Sequence, residues 1–227
     1  MFTTDKLCLL FDLDGTLTDS DHLHFNAFNR LLGERGRTLS KADYTHHIMG
    51  AGNEAICSYL LPQLPLSEAL KLAERKEAYV REAMGDLRPT PRLHALLDWA
   101  DARMLPMAIV TNAPRANAVL MIAALQLRAR IPVLVIGSEL EQAKPHPLPY
   151  FTALQRLGGR SRNAVAFEDS RSGLRAAVDA GITTIGLTTA LDEGAVLEAG
   201  AALAVADFTD LRLWTLLSAM SDHAGIQ

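Results

Sequence analysis

Cysteine is scarce: the 227 residues contain two, Cys8 and Cys57. Neither has metal-ligand spacing. Cys8 sits in an apolar strand-like run and Cys57 in a helix-like stretch, so two reduced, mostly buried thiols are expected rather than a disulfide framework. No apolar stretch approaches the ~18 residues of a membrane span, which argues against a membrane helix. Met1 to Lys6 lack a basic segment followed by an apolar one, so no signal peptide is expected and a cytoplasmic location follows as the default. No run of Lys or Arg is long enough to track a phosphate backbone, which argues against nucleic acid as a partner. The net charge of -4, from 22 basic and 26 acidic residues, is mild. A small anionic substrate would have to be met by local positive groups rather than by a global field. Internal repeats and low-complexity segments are also lacking.

What is present is the balance of an ordinary globular protein, 49% hydrophobic and 21% charged. The length suits one large domain, or a core with a smaller insert. Leu7 to Phe11 is a short continuous apolar run, the pattern of a strand buried on both faces of a parallel sheet. Similar runs are Met107 to Val110, Val133 to Ile136, Ala164 to Phe167, Ile182 to Leu187 and Leu203 to Val205. Helical stretches separate them. Thr90-Pro91 reads as the start of one, with Thr as N-cap and Pro first in the helix. Arg115 to Leu127 carries an apolar stripe. Leu148 to Leu157 stops at Gly158-Gly159, and Arg171 to Ala180 stops at Gly181. The alternation implies an α/β fold, a Rossmann-like core around a parallel sheet.

Residues from about 17 to 88 break the alternation. His22 to Leu32 is helical, Ser40 with Asp43 three residues on resembles a capping box, and Asn53 to Leu61 is a third helix. Ser67 is placed to cap a long fourth helix through Met84, ended by Gly85. With no strand signal here, the expectation is an all-helical insert after the first strand: a core of 1–16 and 88–227, and a helical cap of 17–87. The linkers near Thr16 to Asp21 and Asp86 to Pro91 are expected to act as hinges.

In an open parallel sheet, ligands bind outside the carboxyl ends of the strands. The first run leads into Asp12-Leu13-Asp14-Gly15-Thr16, the second into Thr111-Asn112, the third within a short loop into Lys144-Pro145, and the fourth into Glu168-Asp169-Ser170. Several carboxylates, one lysine and small hydrogen-bonding side chains would thus meet on one edge. Oxygen ligands without His or Cys favour a hard cation, magnesium (Mg2+). Lys144 and that cation call for an anion, and a phosphoryl group fits.

These residues resemble the motifs of the haloacid dehalogenase-like hydrolase superfamily. The match is Asp12-Leu-Asp14-Gly15-Thr16-Leu17-Thr-Asp19-Ser20, then Val110-Thr111-Asn112, then Lys144-Pro145, then Glu168-Asp169-Ser170 with Gly173. All four stand in order and cover nearly the whole chain. The resemblance implies a phosphatase that forms a phosphoryl-aspartate on Asp12. Asp14 serves as general acid and base, kept protonated for the first half by crowding among carboxylates. Lys144 supports catalysis. By the same resemblance Thr111, Asn112, Lys144, Gly15 and Thr16 would hold the phosphate, and Asp12, the backbone carbonyl of Asp14, Asp169 and, directly or through water, Glu168 would hold magnesium.

The residue at Asp14 discriminates among members of that superfamily. A dehalogenase has no leaving alkoxide to protonate and would not need it. A phosphonatase would bring a cap lysine, yet Lys41, Lys71 and Lys76 sit in no recognisable setting. A β-phosphoglucomutase is the serious competitor: His24 stands where the mutases carry a hinge histidine. In the stretch Ile48-Met49-Gly50-Ala51-Gly52-Asn53-Glu54, however, Asn53 occupies the place of their phosphate-binding arginine, and an amide cannot replace a guanidinium fork. That departure favours hydrolysis of a small phosphomonoester of a sugar, polyol or small acid, with His24, Met49 and Asn53 as candidate specificity contacts. A helix N-cap is the alternative for Asn53. A zinc site at His22 and His24 lacks a third ligand. A non-catalytic binding relative is disfavoured because none of the four motif positions is substituted.

Overall fold

The computed structural model describes residues 4–49 and 51–224; Met1–Thr3, Gly50 of the loop compared above, and residues 225–227 lie outside it, as do the side chains of Asp86, His223 and Ala224. Six strands, β1 (Cys8–Phe11), β2 (Met107–Thr111), β3 (Val133–Ile136), β4 (Ala164–Glu168), β5 (Thr183–Leu187) and β6 (Leu203–Val205), form one sheet. Their order is β3-β2-β1-β4-β5-β6 and every pairing is parallel. Each strand matches an apolar run to within a residue or so, because a strand covered on both faces must be apolar throughout.

Alternate strand residues feed two cores. Leu9, Phe11, Ile109, Val165 and Phe167 face α5 (Leu93–Ala102), α6 (Arg115–Ala124) and α10 (Leu211–Ala224). Cys8, Leu10, Ala108, Val110, Ala164 and Ala166 face α7 (Leu148–Leu157) and α8 (Arg171–Asp179). On the first face the rings of Phe11 and Phe167 stack with centroids 4.8 Å apart, joining the two central strands directly beneath their carboxyl ends. Both thiols are free and buried, and burial pushes the Cys8 thiol up to about 11. No helix among the described residues is long and apolar enough to cross a membrane.

Between β1 and α5 the chain is helical: α1 (Asp21–Gly33), α2 (Lys41–Asp43) running into a π-helical turn (Tyr44–Ile48), α3 (Asn53–Leu60) and α4 (Leu66–Glu82). Phe28, Tyr44, Ile48, Ile56, Leu60 and Ala73 give these helices a core of their own. Nearer the linkers, Leu17, Leu23, Ala27, Val80 and Met84 join the core of the sheet.

Several helix starts differ from the sequence expectation. Ser40 accepts from the Asp43 amide as a capping box requires. Ser67 lies inside α4, whose N-cap is Pro65, and Asn53 is the first residue of α3 rather than its cap, which is Gly52. Thr90 does not cap α5, which begins at Leu93 after Arg92 in a left-handed conformation. Its hydroxyl instead donates to the Thr16 carbonyl at 2.7 Å, and its amide donates to the Leu17 carbonyl. The Thr18 hydroxyl in turn donates to the Arg88 carbonyl at 2.7 Å. Tertiary pairing of the two linkers has claimed a residue that local propensity assigns to a cap. Two further helices lie outside the stretches read from the sequence: α9 (Glu193–Glu198), capped by Asp192, and α10, which packs Leu213 and Leu217 into the core.

Thr90→Val removes a buried donor and leaves the Thr16 carbonyl bare. Urea unfolding should show a loss of about 1–2 kcal/mol with an unchanged slope.

Candidate active site

The sequence order of the strands reverses at β1, which pairs with β2 on one side and β4 on the other. Loops from the two flanking strands diverge at such a point and open a crevice at the carboxyl edge. Phe11 lies opposite Phe167, so Asp12 and Glu168 leave the sheet side by side, and the Asp12 amide donates to the Phe167 carbonyl at 2.9 Å. Carboxylate oxygens of Asp12, Glu168 and Asp169, all buried, lie within 4.8 Å of one another.

Lys144 reaches two members of this cluster. Its ammonium donates to Asp12 Oδ1, Glu168 Oε1 and the Val110 carbonyl, each at 2.6 Å. The loop bearing it is held by Asn112, whose amide donates to the Lys144 carbonyl at 3.1 Å and accepts from the Lys144 amide at 3.2 Å. Gly137 gives Asn112 room, since a Cβ there would overlap its side-chain oxygen. Tyr150, fully buried on α7, donates its hydroxyl to Glu168 Oε1 at 2.5 Å. Gly15 has φ +78° and a Cβ there would overlap the Asp169 carboxylate, so this turn requires glycine twice over. Gly173 serves Glu168 in the same way: a Cβ there would overlap its carboxylate.

Burial raises the Asp12 carboxyl well above the usual range; Lys144 pulls it back in part, while Glu168 pushes it further up. Burial and then the charges of Asp12 and Glu168 likewise raise Asp169. Burial disfavours the Lys144 ammonium, yet Asp12 and Glu168 outweigh that and hold its pKa above the ordinary lysine value.

Asp14 behaves oppositely. Its Oδ1 accepts from the Ser20 hydroxyl at 2.6 Å and lies 3.2 Å from His24 Nε2. Burial alone would raise this carboxyl, but His24, Ser20 and the Lys76 charge together hold it below its ordinary value. The expectation that crowding keeps a proton on Asp14 is therefore corrected: its nearest partners are hydrogen-bond donors. His24 is in turn fixed by Lys76 of α4, whose Nζ lies 2.9 Å from Nδ1. An ammonium only donates, so Nδ1 accepts and the ring proton sits on Nε2, facing Asp14.

A cavity of about 110 Å³ opens between the sheet edge and the helical insert. Asp12, Asp14, Thr111, Asn112, Lys144 and Asp169 line its floor, with His24, Met49, Asn53 and Lys76 on the insert side. Gly15 and Thr16 are not on its wall; Thr16 is buried and its hydroxyl has no partner among the described residues. Glu168 lies below the floor, fully buried. His22 is exposed and stands apart from the carboxylates. Sequence reasoning overlooked Tyr150 and left Lys76 unplaced. Lys76 did leave a signal: Ala69, Ala73, Lys76 and Val80 are spaced as one buried face of α4, where a charge requires a partner. Tyr150 sits among apolar neighbours and left none.

The donor set fits a hard divalent cation. It is all oxygen, three carboxylates converge, and Glu168 Oε2 is buried without a hydrogen-bond partner among the described residues.

Residues 9–187 match the haloacid dehalogenase-like hydrolase family, and the chain belongs to it. A phosphorylated carbohydrates phosphatase of Thermotoga maritima is 31% identical over 85% of this chain and 91% of that protein. The fructose-1-phosphate phosphatase YqaB of Escherichia coli is 29% identical, over 78% of this chain and 94% of its own. The crystal structure of CbbY from Rhodobacter sphaeroides in complex with phosphate superposes with a TM-score of 0.78 at 26% identity, covering 91% of this chain and 96% of that one.

Tyr150→Phe deletes the hydroxyl that donates to a fully buried carboxylate. Denaturant unfolding of the metal-free protein should report a loss of about 2 kcal/mol; an unchanged midpoint would show that Lys144 alone satisfies Glu168.

Proposed function

We propose that this phosphomonoester hydrolase acts on a small phosphorylated sugar, polyol or acid, with magnesium and through a phosphoryl-aspartate on Asp12. The observation that carries the reading is Asp12 itself, buried at the floor of the cavity, bonded to Lys144 and grouped with Asp169 and Glu168. Relatives named as phosphatases of phosphorylated carbohydrates and of fructose 1-phosphate support the substrate class.

Asp12 attacks phosphorus; the P–O bond to the leaving group breaks as the acyl phosphate forms, splitting one difficult displacement into two. Lys144 keeps Asp12 oriented and offsets negative charge as the phosphoryl group arrives. Thr111 and Asn112 stand on the cavity wall where they can bind its oxygens. Asp14 delivers a proton to the leaving oxygen and later takes one from the attacking water. Held low by His24 and Ser20, it is set in this arrangement for the second role, and the first requires those bonds to loosen. Asp12, Asp169 and Glu168, with the backbone carbonyl of Asp14, would hold magnesium, which supplies Lewis-acid stabilisation of the phosphoryl charge. Residues 17–87 act as a cap over a core of 1–16 and 88–227, enclosing the substrate and selecting it.

A mutase must also grip a second phosphate. Asn53 faces the cavity where an arginine would be needed, which weighs against that alternative.

Phosphate release from a panel of small phosphomonoesters tests the reading, with β-glucose 1-phosphate included to detect isomerisation. Magnesium-dependent release should fall more than about a thousandfold in Asp12→Asn. Activity that survives in this variant would remove Asp12 as nucleophile.

The metal carries a separate prediction. Because Asp12 and Asp169 are raised, the metal-free protein keeps protons there at pH values where free aspartate has lost them. Magnesium must displace those protons, so its affinity rises with pH. Calorimetric titration over a pH series should find binding that tightens as pH rises, with proton release at the acid end.

A further inference from the structure

Asn117 stands in the first turn of α6, the helix that follows Thr111 and Asn112, and it is 1% exposed. Its amide nitrogen donates to Glu77 Oε2 at 2.5 Å, and its amide oxygen accepts from Arg81 Nη1 at 2.9 Å. Both partners belong to α4, on the far side of the seam between insert and core. A guanidinium only donates and a carboxylate only accepts, so the amide has one workable orientation. An apolar, anionic or cationic side chain there would fail at least one partner.

The bonds continue from Glu77. Its other oxygen accepts from Lys76 Nζ at 2.7 Å, and Lys76 reaches His24 Nδ1 at 2.9 Å. His24 Nε2 lies 3.2 Å from Asp14. A continuous path of hydrogen bonds thus leaves the core at α6, crosses α4 and α1 of the insert, and returns to the core at Asp14. Lys76 and Glu77 are each 2% exposed, so bulk water has little access to a partner left bare at either.

We propose that Asn117 is a positioning residue that sets the tautomer of His24, and through it the proton geometry at Asp14. The inference rests on the phosphatase reading above. Lys76 has competing acceptors: Glu77, His24 Nδ1 and the face of the Phe28 ring, 4.4 Å away. With Asn117 in place, Glu77 Oε2 is occupied and the Lys76 ammonium is shared between Oε1 and Nδ1. Without it, the bare carboxylate draws the ammonium with both oxygens and the bond to Nδ1 weakens. The imidazole is then free to carry its proton on Nδ1. That tautomer turns a lone pair toward Asp14 Oδ1, acceptor against acceptor, and the carboxylate loses its fixed orientation.

Leaving-group chemistry separates this role from general loosening. An alkyl phosphomonoester needs a proton on its departing oxygen, whereas p-nitrophenolate leaves without one. In rapid-mixing experiments, Asn117→Leu should slow the first turnover of an alkyl phosphate about tenfold or more. The first-turnover release of p-nitrophenol should stay within about twofold of the parent. Asn117→Asp, which keeps the shape but cannot donate to Glu77, should do the same and serves if the leucine variant does not fold. Nitrogen-15 NMR of the His24 ring reads the tautomer without any turnover: the parent should show the Nε2–H form, and both variants a mixture. Equal slowing of both esters, unchanged rates with both, or unchanged His24 resonances would each overturn the proposal. A parent protein inert toward every ester would defeat the phosphatase reading instead, and the NMR comparison would still decide what Asn117 does to His24.

Discussion

The arrangement depends on one buried ammonium. Lys144 binds Asp12, Glu168 and a strand carbonyl at equal distance, in a cluster where three carboxylates converge. At ~4 Å and an effective dielectric of ~20, each like-charge pair there would cost about 4 kcal/mol. The surrounding choices follow from keeping that ammonium in place. Asn112 braces its backbone from both sides, Gly137 leaves space for Asn112, and Tyr150 takes a share of Glu168. Substitution at Gly137 or Tyr150 would act on Asp12 through Lys144, since neither lines the cavity.

Asp12 and Asp14 are two residues apart in sequence and are driven in opposite directions. Asp12 points into the carboxylate cluster, where burial dominates and raises it. Asp14 points to the insert, where burial would raise it but His24, Ser20 and the Lys76 charge together outweigh burial and lower it. One turn of chain thus presents two carboxyl groups in different electrostatic surroundings, the usual means by which one site assigns two roles. The separation is made by the insert, which supplies His24 and Lys76.

The sheet was legible because strands covered on both faces are apolar without interruption, and the first four runs lead into the residues that form the site. The core site was legible for the same topological reason: polar residues at the ends of apolar runs share one edge. Helix starts were less so. Ser67 and Thr90 have the chemistry of caps, but Pro65 begins one helix earlier and tertiary hydrogen bonding claims the other. The supporting residues were least legible. Tyr150 is indistinguishable from core packing until its hydroxyl is placed, and Asn117 acquires meaning only when α4 is laid against α6. Side chains that act across elements far apart in sequence leave no local periodicity to read.

The two linkers are hydrogen-bonded to each other rather than hanging separately. Thr90 bonds to Thr16 and Leu17, Thr18 bonds to Arg88, and Thr18 bridges to Pro89. A lobe held by two unconnected strings can slide and twist as well as swing. A stitched pair resists sliding and twisting more than swinging, as a piano hinge does, and here the stitch is made by side chains that are themselves buried, Thr18 and Thr90.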